Sequence, residues 1–388
     1  GLIVTGASAG ASAGDGAGGS AGAGFRAGVT PDDPDAVWRL SNATGWPVLA
    51  SPQSGCRRPG AIGSADALLR TTVVRQWQPD IVLRLGAPWS SRVVNEWLAT
   101  LECPQVLVDP WGTWAAPDRS AGEVVVADPA ALCHSVAGRV EAASLEGRRG
   151  GAWASQWSLA ESAAQGAIDA ALAGQDGLTE PGIARSLIAA APEGSTIVAS
   201  SSMPIREVEW WSRPRTGLRV LANRGVNGID GVLSTALGVA AARPPESPNV
   251  IALLGDLAFL YDIGVVAHAV REGIDLDVVV VDNDGGGIFN FLPQASSQPF
   301  ERFERLWGTP HRADLAAVAR GFGVAVEEIT DVRHLESALG GDNRKRKGLR
   351  VLIGRTDRVA NVAVHQRLQA AVEAAVLELS EEPGTTRP

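Results

Sequence analysis

The stretch "VIALLGDLAFLYDIGVVAHAVREGIDLDVVVVDNDGGG", residues 250–287, decides the fold. It holds two short apolar runs, Val250–Leu254 and Asp277–Val281, each followed at once by small and acidic residues. Runs of this length and β-branched content, bounded by Gly and Asp, read as buried strands. Between them Ile263, Val266, Ala267 and Val270 fall on one helical face, and Asp262 is placed to cap a helix running to Arg271. A strand, a helix and a second strand in this order predict a parallel pair. Its carboxyl ends bring Gly255–Asp256 beside Asp282–Gly287.

The same alternation extends in both directions. Toward the C-terminus it gives Leu349–Ile353. Toward the N-terminus it gives Leu218–Ala222, Thr196–Ala199, Glu123–Ala127, Gln105–Asp109, Ile81–Leu85 and Leu2–Thr5, with helices over Ala65–Trp77 and Ser91–Leu101. The fold class is therefore α/β, with two doubly wound parallel-sheet domains. The polar stretch "EGRRGGA", residues 146–152, is the linker candidate, dividing residues 1–150 from 153–388. A Gly/Ala/Ser tract at residues 8–24 reads as a flexible loop, and the terminal "SEEPGTTRP" as a disordered tail.

Composition narrows the function classes. With 388 residues, 45% of them hydrophobic, and no apolar run near the roughly 18 residues of a membrane span, the chain reads as a cytoplasmic globular protein. A net charge of -9 argues against a nucleic-acid partner, and the basic cluster Arg344–Lys347 reads as a solvated loop. Three scattered cysteines, Cys56, Cys103 and Cys133, suit reduced, packed thiols. The five histidines form no HxxxH pair, so zinc has little support. His311 has no evident partner. The start "GLIVTGA", strand-like and without an initiator Met, suggests a chain that begins inside a larger protein.

The chemistry concentrates at strand ends. Asp256 and Asn283 stand 27 residues apart, each just beyond a strand. A carboxylate, an amide oxygen and a backbone carbonyl from the glycine turn make half of an octahedral set of hard oxygen donors. Diphosphate oxygens and water complete such a set around Mg²⁺. Gly14-Asp15-Gly16 before Asn42, and a GxGxxG match at Gly14–Gly19, share similar spacings but follow no strand and are set aside.

Gly255, Asp256 and Asn283 resemble the thiamin-diphosphate motif, with Leu257 in place of its third Gly and Asp282 in place of its first Asn. Together "SSSMPIREVE" (200–209), "NRGVNGIDG" (223–231), "GDLAFLYD" (255–262), "DNDGGGIF" (282–289) and "GTPHRADL" (308–315) resemble one family. That family is the 2-succinyl-5-enolpyruvyl-6-hydroxy-3-cyclohexene-1-carboxylate (SEPHCHC) synthases of menaquinone biosynthesis. The first half resembles it only through "VLRLGAPWSSRVVNEW", 82–97.

The resemblance implies a transferase in which thiamin diphosphate supports decarboxylation of 2-oxoglutarate and addition of the resulting carbanion to isochorismate. It implies a central domain at 1–150, a diphosphate-binding domain at 153–388, and a missing N-terminal pyrimidine-binding domain that carries the catalytic Glu, so that the chain alone is inactive. Cofactor contacts fall on Ser202, Asn227, Ile229, Asp256 and Asn283, with Asn227 where the family more often has Ser and Ser201 where it has Asn. Mg²⁺, or Mn²⁺, falls on Asp256, Asn283 and the Gly285 carbonyl. Substrate contacts fall on Arg206, Arg224 and Arg92, with Ile288, Phe289 and Leu292 as an apolar wall; a guanidinium fork suits dicarboxylates. A homodimer or homotetramer is implied for the full protein. A thiamin-diphosphate enzyme of acetohydroxyacid synthase or 2-oxoacid decarboxylase type, and a noncatalytic cofactor-binding fragment, stay open.

Overall fold

The computed structural model describes residues 1–7, 33–112, 114, 116–143, 151–175, 177–341 and 346–381. The Gly/Ala/Ser tract, the start of the linker stretch and the terminal tail lie outside them. The chain forms two compact units, Gly1–Ala164 with Ala375–Pro388, and Gln165–Ala374.

The first unit holds five parallel strands: β1 (Leu2–Thr5), β2 (Val48–Ala50), β3 (Val82–Leu85), β4 (Gln105–Val108) and β5 (Glu123–Val125), in the order β2-β1-β3-β4-β5. β2 escapes a sequence reading because it is three residues long and sits at the edge. The expected helix over Ala65–Trp77 is broken: an α-helix ends at Leu69, and a 3₁₀ turn covers Val74–Gln76. The hydroxyl of Thr71 bonds back to the Leu68 carbonyl (2.6 Å) and accepts from the Val74 N–H (3.2 Å), a local alternative to continued helix. Cys56, Cys103 and Cys133 are free, and burial pushes the thiols of Cys56 and Cys133 up to about 12. Cys56 and Cys133 are packing residues.

The second unit holds six parallel strands: β6 (Ser195–Ala199), β7 (Leu218–Leu221), β8 (Val250–Gly255), β9 (Leu276–Asp282), β10 (Ala325–Ile329) and β11 (Leu349–Arg355). Their order is β10-β11-β9-β8-β6-β7. Both faces of its central strands are covered. Leu276, Val278 and Val280 of β9 pack into one apolar cluster, while Val279 and Val281 pack into another. That two-sided burial is why β8 and β9 are unbroken apolar runs. β10, reading Ala-Val-Glu-Glu-Ile, is an edge strand with exposed and half-buried positions, so it lacks the apolar signal.

Two local expectations are corrected. The helix Val265–Glu272 begins after Gly264, and Asp262 does not cap it. The Asp262 carboxylate instead accepts from the N–H groups of Gly231 (2.9 Å), Leu233 (2.9 Å) and Ser234 (3.3 Å), capping the helix Val232–Ala242 from another element. That helix starts at Gly231, which has φ +73° and no side chain to cap with. Within the basic cluster, Lys347 reaches Asp275 (3.2 Å) and Arg346 donates to the Gly340 carbonyl (3.0 Å), so those two are engaged rather than merely solvated.

Candidate cofactor site

In the second sheet, β6 continues to β7 on one side, while β8 continues to β9 on the other. The crevice between β6 and β8 is therefore a topological switch point, where open α/β sheets bind ligands beyond the strand ends. A cavity of about 580 Å³ lies there. It is lined by Ser200–Ser202 after β6, Arg224 and Asn227–Asp230 after β7, Gly255–Ala258 after β8, and Asn283 with Gly285–Phe289 after β9.

Asp256 organises the floor. It is buried, and its Oδ2 accepts from the N–H groups of Asn283 (3.1 Å) and Gly285 (2.9 Å), while Oδ1 accepts from Leu257 (2.6 Å). Burial raises its pKa, opposed by the N–H groups of Gly285 and Leu257 and by His311. The glycine turn has no room for side chains. Gly285 has φ +137°, and a Cβ there would lie 2.0 Å from the Gly308 carbonyl oxygen. Two non-glycine residues of the lining, Ser202 (φ +74°) and Asn227 (φ +63°), also adopt positive φ. Strain of this kind concentrates at binding sites.

The oxygen donors at this floor suit a divalent cation. Asn283 donates through Nδ2 to Glu180 Oε1 (2.7 Å), whereas its buried Oδ1 has no hydrogen-bond partner among the described residues. Asp256 Oδ1 keeps a lone pair beyond its one N–H bond, and so does the Gly285 carbonyl, which accepts from Gly287 (3.0 Å). These three oxygens fit a hard cation. A second grouping, Asp256, Asp282 and His311, has ligand atoms within 4.8 Å of one another. It fits less well: the N–H of Ala313 donates to His311 Nδ1 (2.9 Å), which places the ring proton on Nε2. That Nε2–H faces Asp256 (3.3 Å) and Asp282 (3.4 Å) as a donor, not as a ligand. His311, which has no evident partner in sequence, thus steadies both carboxylates.

Ten of the twelve residues expected at the site line this one cavity: Ser202, Arg206, Arg224, Asn227, Ile229, Asp256, Asn283, Gly285, Ile288 and Phe289. Leu292 does not. The 3₁₀ turn Gly287–Phe291 ends before it, and its side chain is exposed. Arg92 does not either; it belongs to the first unit, where its exposed guanidinium pairs with Glu96 (3.0 Å). Arg206 donates to the Ser202 carbonyl (2.7 Å) at the start of the helix Met203–Trp211. Burial and then the charge of Arg206 lower the pKa of Arg224, against Glu209. Two guanidinium groups facing one cavity make it attractive to anions.

Known families fit this geometry. Residues 199–352 match the C-terminal TPP binding domain of thiamine pyrophosphate enzymes, and residues 27–197 match the middle domain of thiamine pyrophosphate enzymes. The chain belongs to the thiamine pyrophosphate enzymes. Among curated members of the family, a 2-succinyl-5-enolpyruvyl-6-hydroxy-3-cyclohexene-1-carboxylate synthase of Myxococcus xanthus is 41% identical over 350 residues, 88% of this chain and 57% of its own length. The synthases of that name from Thermobifida fusca and Listeria monocytogenes are 40% and 32% identical, over 89% and 88% of this chain and 59% and 58% of theirs. The chain thus spans less than three fifths of the length of these curated relatives.

Sequence reasoning missed Glu180. It lies in the first turn of the helix Glu180–Ala190, capped by Thr179, where an acidic residue looks like an ordinary helix-dipole partner. It is instead buried in the cavity lining, and burial, then the nearby Glu207, push its carboxyl up to about 8. Nothing in its local sequence signals this, because its partner Asn283 is 103 residues away.

Proposed function

We propose that the chain carries the cofactor- and substrate-binding machinery of a SEPHCHC synthase, a transferase of menaquinone biosynthesis. The observation that carries this reading is the convergence of Asp256, Asn283, Arg206 and Arg224 on one cavity, in a chain up to 41% identical to synthases of that name. Thiamin diphosphate, when bound, supplies the carbanion chemistry that lets 2-oxoglutarate lose carbon dioxide and join isochorismate.

The chain's own residues bind and shield. Asp256, Asn283 and the Gly285 carbonyl would hold Mg²⁺ or Mn²⁺. Ser202 and Asn227 would hydrogen-bond the diphosphate at the start of the helix Met203–Trp211, where free N–H groups favour anions. Ile229 would support the cofactor's body. Arg206 and Arg224 would take substrate carboxylates through bidentate contacts, and Ile288 and Phe289 would keep water from the reacting atoms. Residues 153–388 are the diphosphate-binding domain and 1–150 the central domain in this reading. The complete enzyme is a cytoplasmic homodimer or homotetramer. No described helix is long and apolar enough to cross a membrane.

Calorimetry of 2-oxoglutarate, isochorismate and pyruvate against the chain, with thiamin diphosphate and Mg²⁺ present, tests the substrate assignment. Both dicarboxylates should bind about tenfold or more tighter than pyruvate, and Arg206→Ala or Arg224→Ala should abolish the difference. Equal binding of pyruvate would point to a 2-oxoacid decarboxylase type of substrate instead.

A further inference from the structure

An asparagine offers a metal site either its oxygen or its amide nitrogen, and only the oxygen can act as a ligand. Rotation of the amide by half a turn exchanges them, so some neighbour must fix the choice. At Asn283 that neighbour is Glu180. Its Oε1 accepts from Asn283 Nδ2 at 2.7 Å and from the Thr356 hydroxyl at 3.4 Å, and the residue is 3% exposed. A carboxyl oxygen without a proton can only accept, so it selects the NH₂ end of the amide and leaves Oδ1 as the end without a partner among the described residues.

Other features of the turn agree. Thr356, which also bonds Glu180, donates its own N–H to the Asp282 carbonyl (2.9 Å), tying this support to the end of β9. Arg358 takes the carbonyl oxygens of Asn283 (3.2 Å) and Asp284, so those backbone oxygens are engaged from the other side. The orphaned Asn283 Oδ1 is thus the product of a built arrangement.

We infer that Glu180 is a positioning residue that fixes the Asn283 amide with its oxygen available to the divalent cation, and so sets the metal requirement of thiamin diphosphate binding. The inference rests on the cofactor reading above, and a support of this kind typically changes metal affinity by about 10- to 100-fold.

The test titrates Mg²⁺ into the 388-residue chain at fixed thiamin diphosphate, following cofactor binding by calorimetry, together with melting of the ligand-free chain. Glu180→Leu removes the acceptor but fills its space. It should raise the Mg²⁺ needed for half-maximal binding by about tenfold or more, with full binding recovered at high Mg²⁺ and cooperative melting of the ligand-free chain retained. Glu180→Gln keeps an acceptor oxygen and should stay within about twofold of wild type. The inference is overturned if Glu180→Leu leaves the Mg²⁺ requirement unchanged, if it lowers the amount bound without moving that requirement, or if Glu180→Gln is as impaired as Glu180→Leu. A wild-type chain showing no metal-dependent binding would overturn the cofactor reading along with it, a result distinct from the other three.

Discussion

Replacing Asp262 with Ala removes a carboxylate that accepts three backbone N–H groups at the start of the helix Val232–Ala242. The helix has no cap of its own, since Gly231 has no side chain. Losing an ordinary helix cap costs about 0.5–2 kcal/mol, and a charged acceptor adds a favourable helix-dipole interaction of about 0.3–1 kcal/mol. Asp262 is only half-buried, so water can reach some of the freed N–H groups, and the sum is held to about 1–3 kcal/mol. For a unit of this size, roughly 2–4 °C of melting temperature accompanies each kcal/mol, giving a fall of about 2–12 °C. Asp262→Asn should recover little, because its NH₂ group faces N–H donors. Thermal unfolding followed by circular dichroism at pH 7 measures the shift. An Asp262→Ala chain melting within about 1 °C of wild type would show that this carboxylate is not the cap.

Three further outcomes follow from the site. Gly285→Ala forces a Cβ against the Gly308 carbonyl at 2.0 Å in a backbone with φ +137°, so the turn must move; stability should fall by about 1–3 kcal/mol in urea unfolding, and Mg²⁺-dependent cofactor binding should weaken more than tenfold. For Glu180, the folded value of about 8 lies above the ordinary 4.5, so the folded state retains a proton that the unfolded state gives up as pH rises. Stability from this group is greatest below about pH 4.5 and is lost as pH climbs toward 8. Ligand-free Glu180→Gln should therefore gain stability relative to wild type between pH 5 and pH 8, by a few kcal/mol at most, in denaturant melts at each pH; a difference flat across that range would contradict the assignment. Arg350→Ala should destabilise by about 3 kcal/mol in urea unfolding, because it takes the hydrogen-bonded guanidinium at 2.9 Å from buried Asp277 and leaves it only Arg346, 4.0 Å away.

What sequence reveals here depends on whether the cause is local. β8 and β9 are legible because burial on both faces demands an unbroken apolar run, and their ends could be read as ligand positions. The edge strand β10 is not, because its exposed positions carry glutamates, and β2 is too short to show a pattern. Asp262 has the residue type of a cap in the place of a cap, yet it serves the helix before it, through bonds that span 28 to 31 residues. Glu180 and His311 owe their positions at the site to partners 103 and 55 residues away, and no local spacing reports such pairs. Ile288 and Phe289 reach the cavity, while Leu292, just past the end of the same turn, does not.

Binding of thiamin diphosphate to the wild-type chain and to Asp256→Ala, with and without Mg²⁺, goes directly to the shared cation site. Wild type should bind only with the metal, and Asp256→Ala should bind about a hundredfold more weakly while still unfolding cooperatively. Metal-independent binding, or binding undiminished in Asp256→Ala, would contradict a cation held by Asp256 and Asn283.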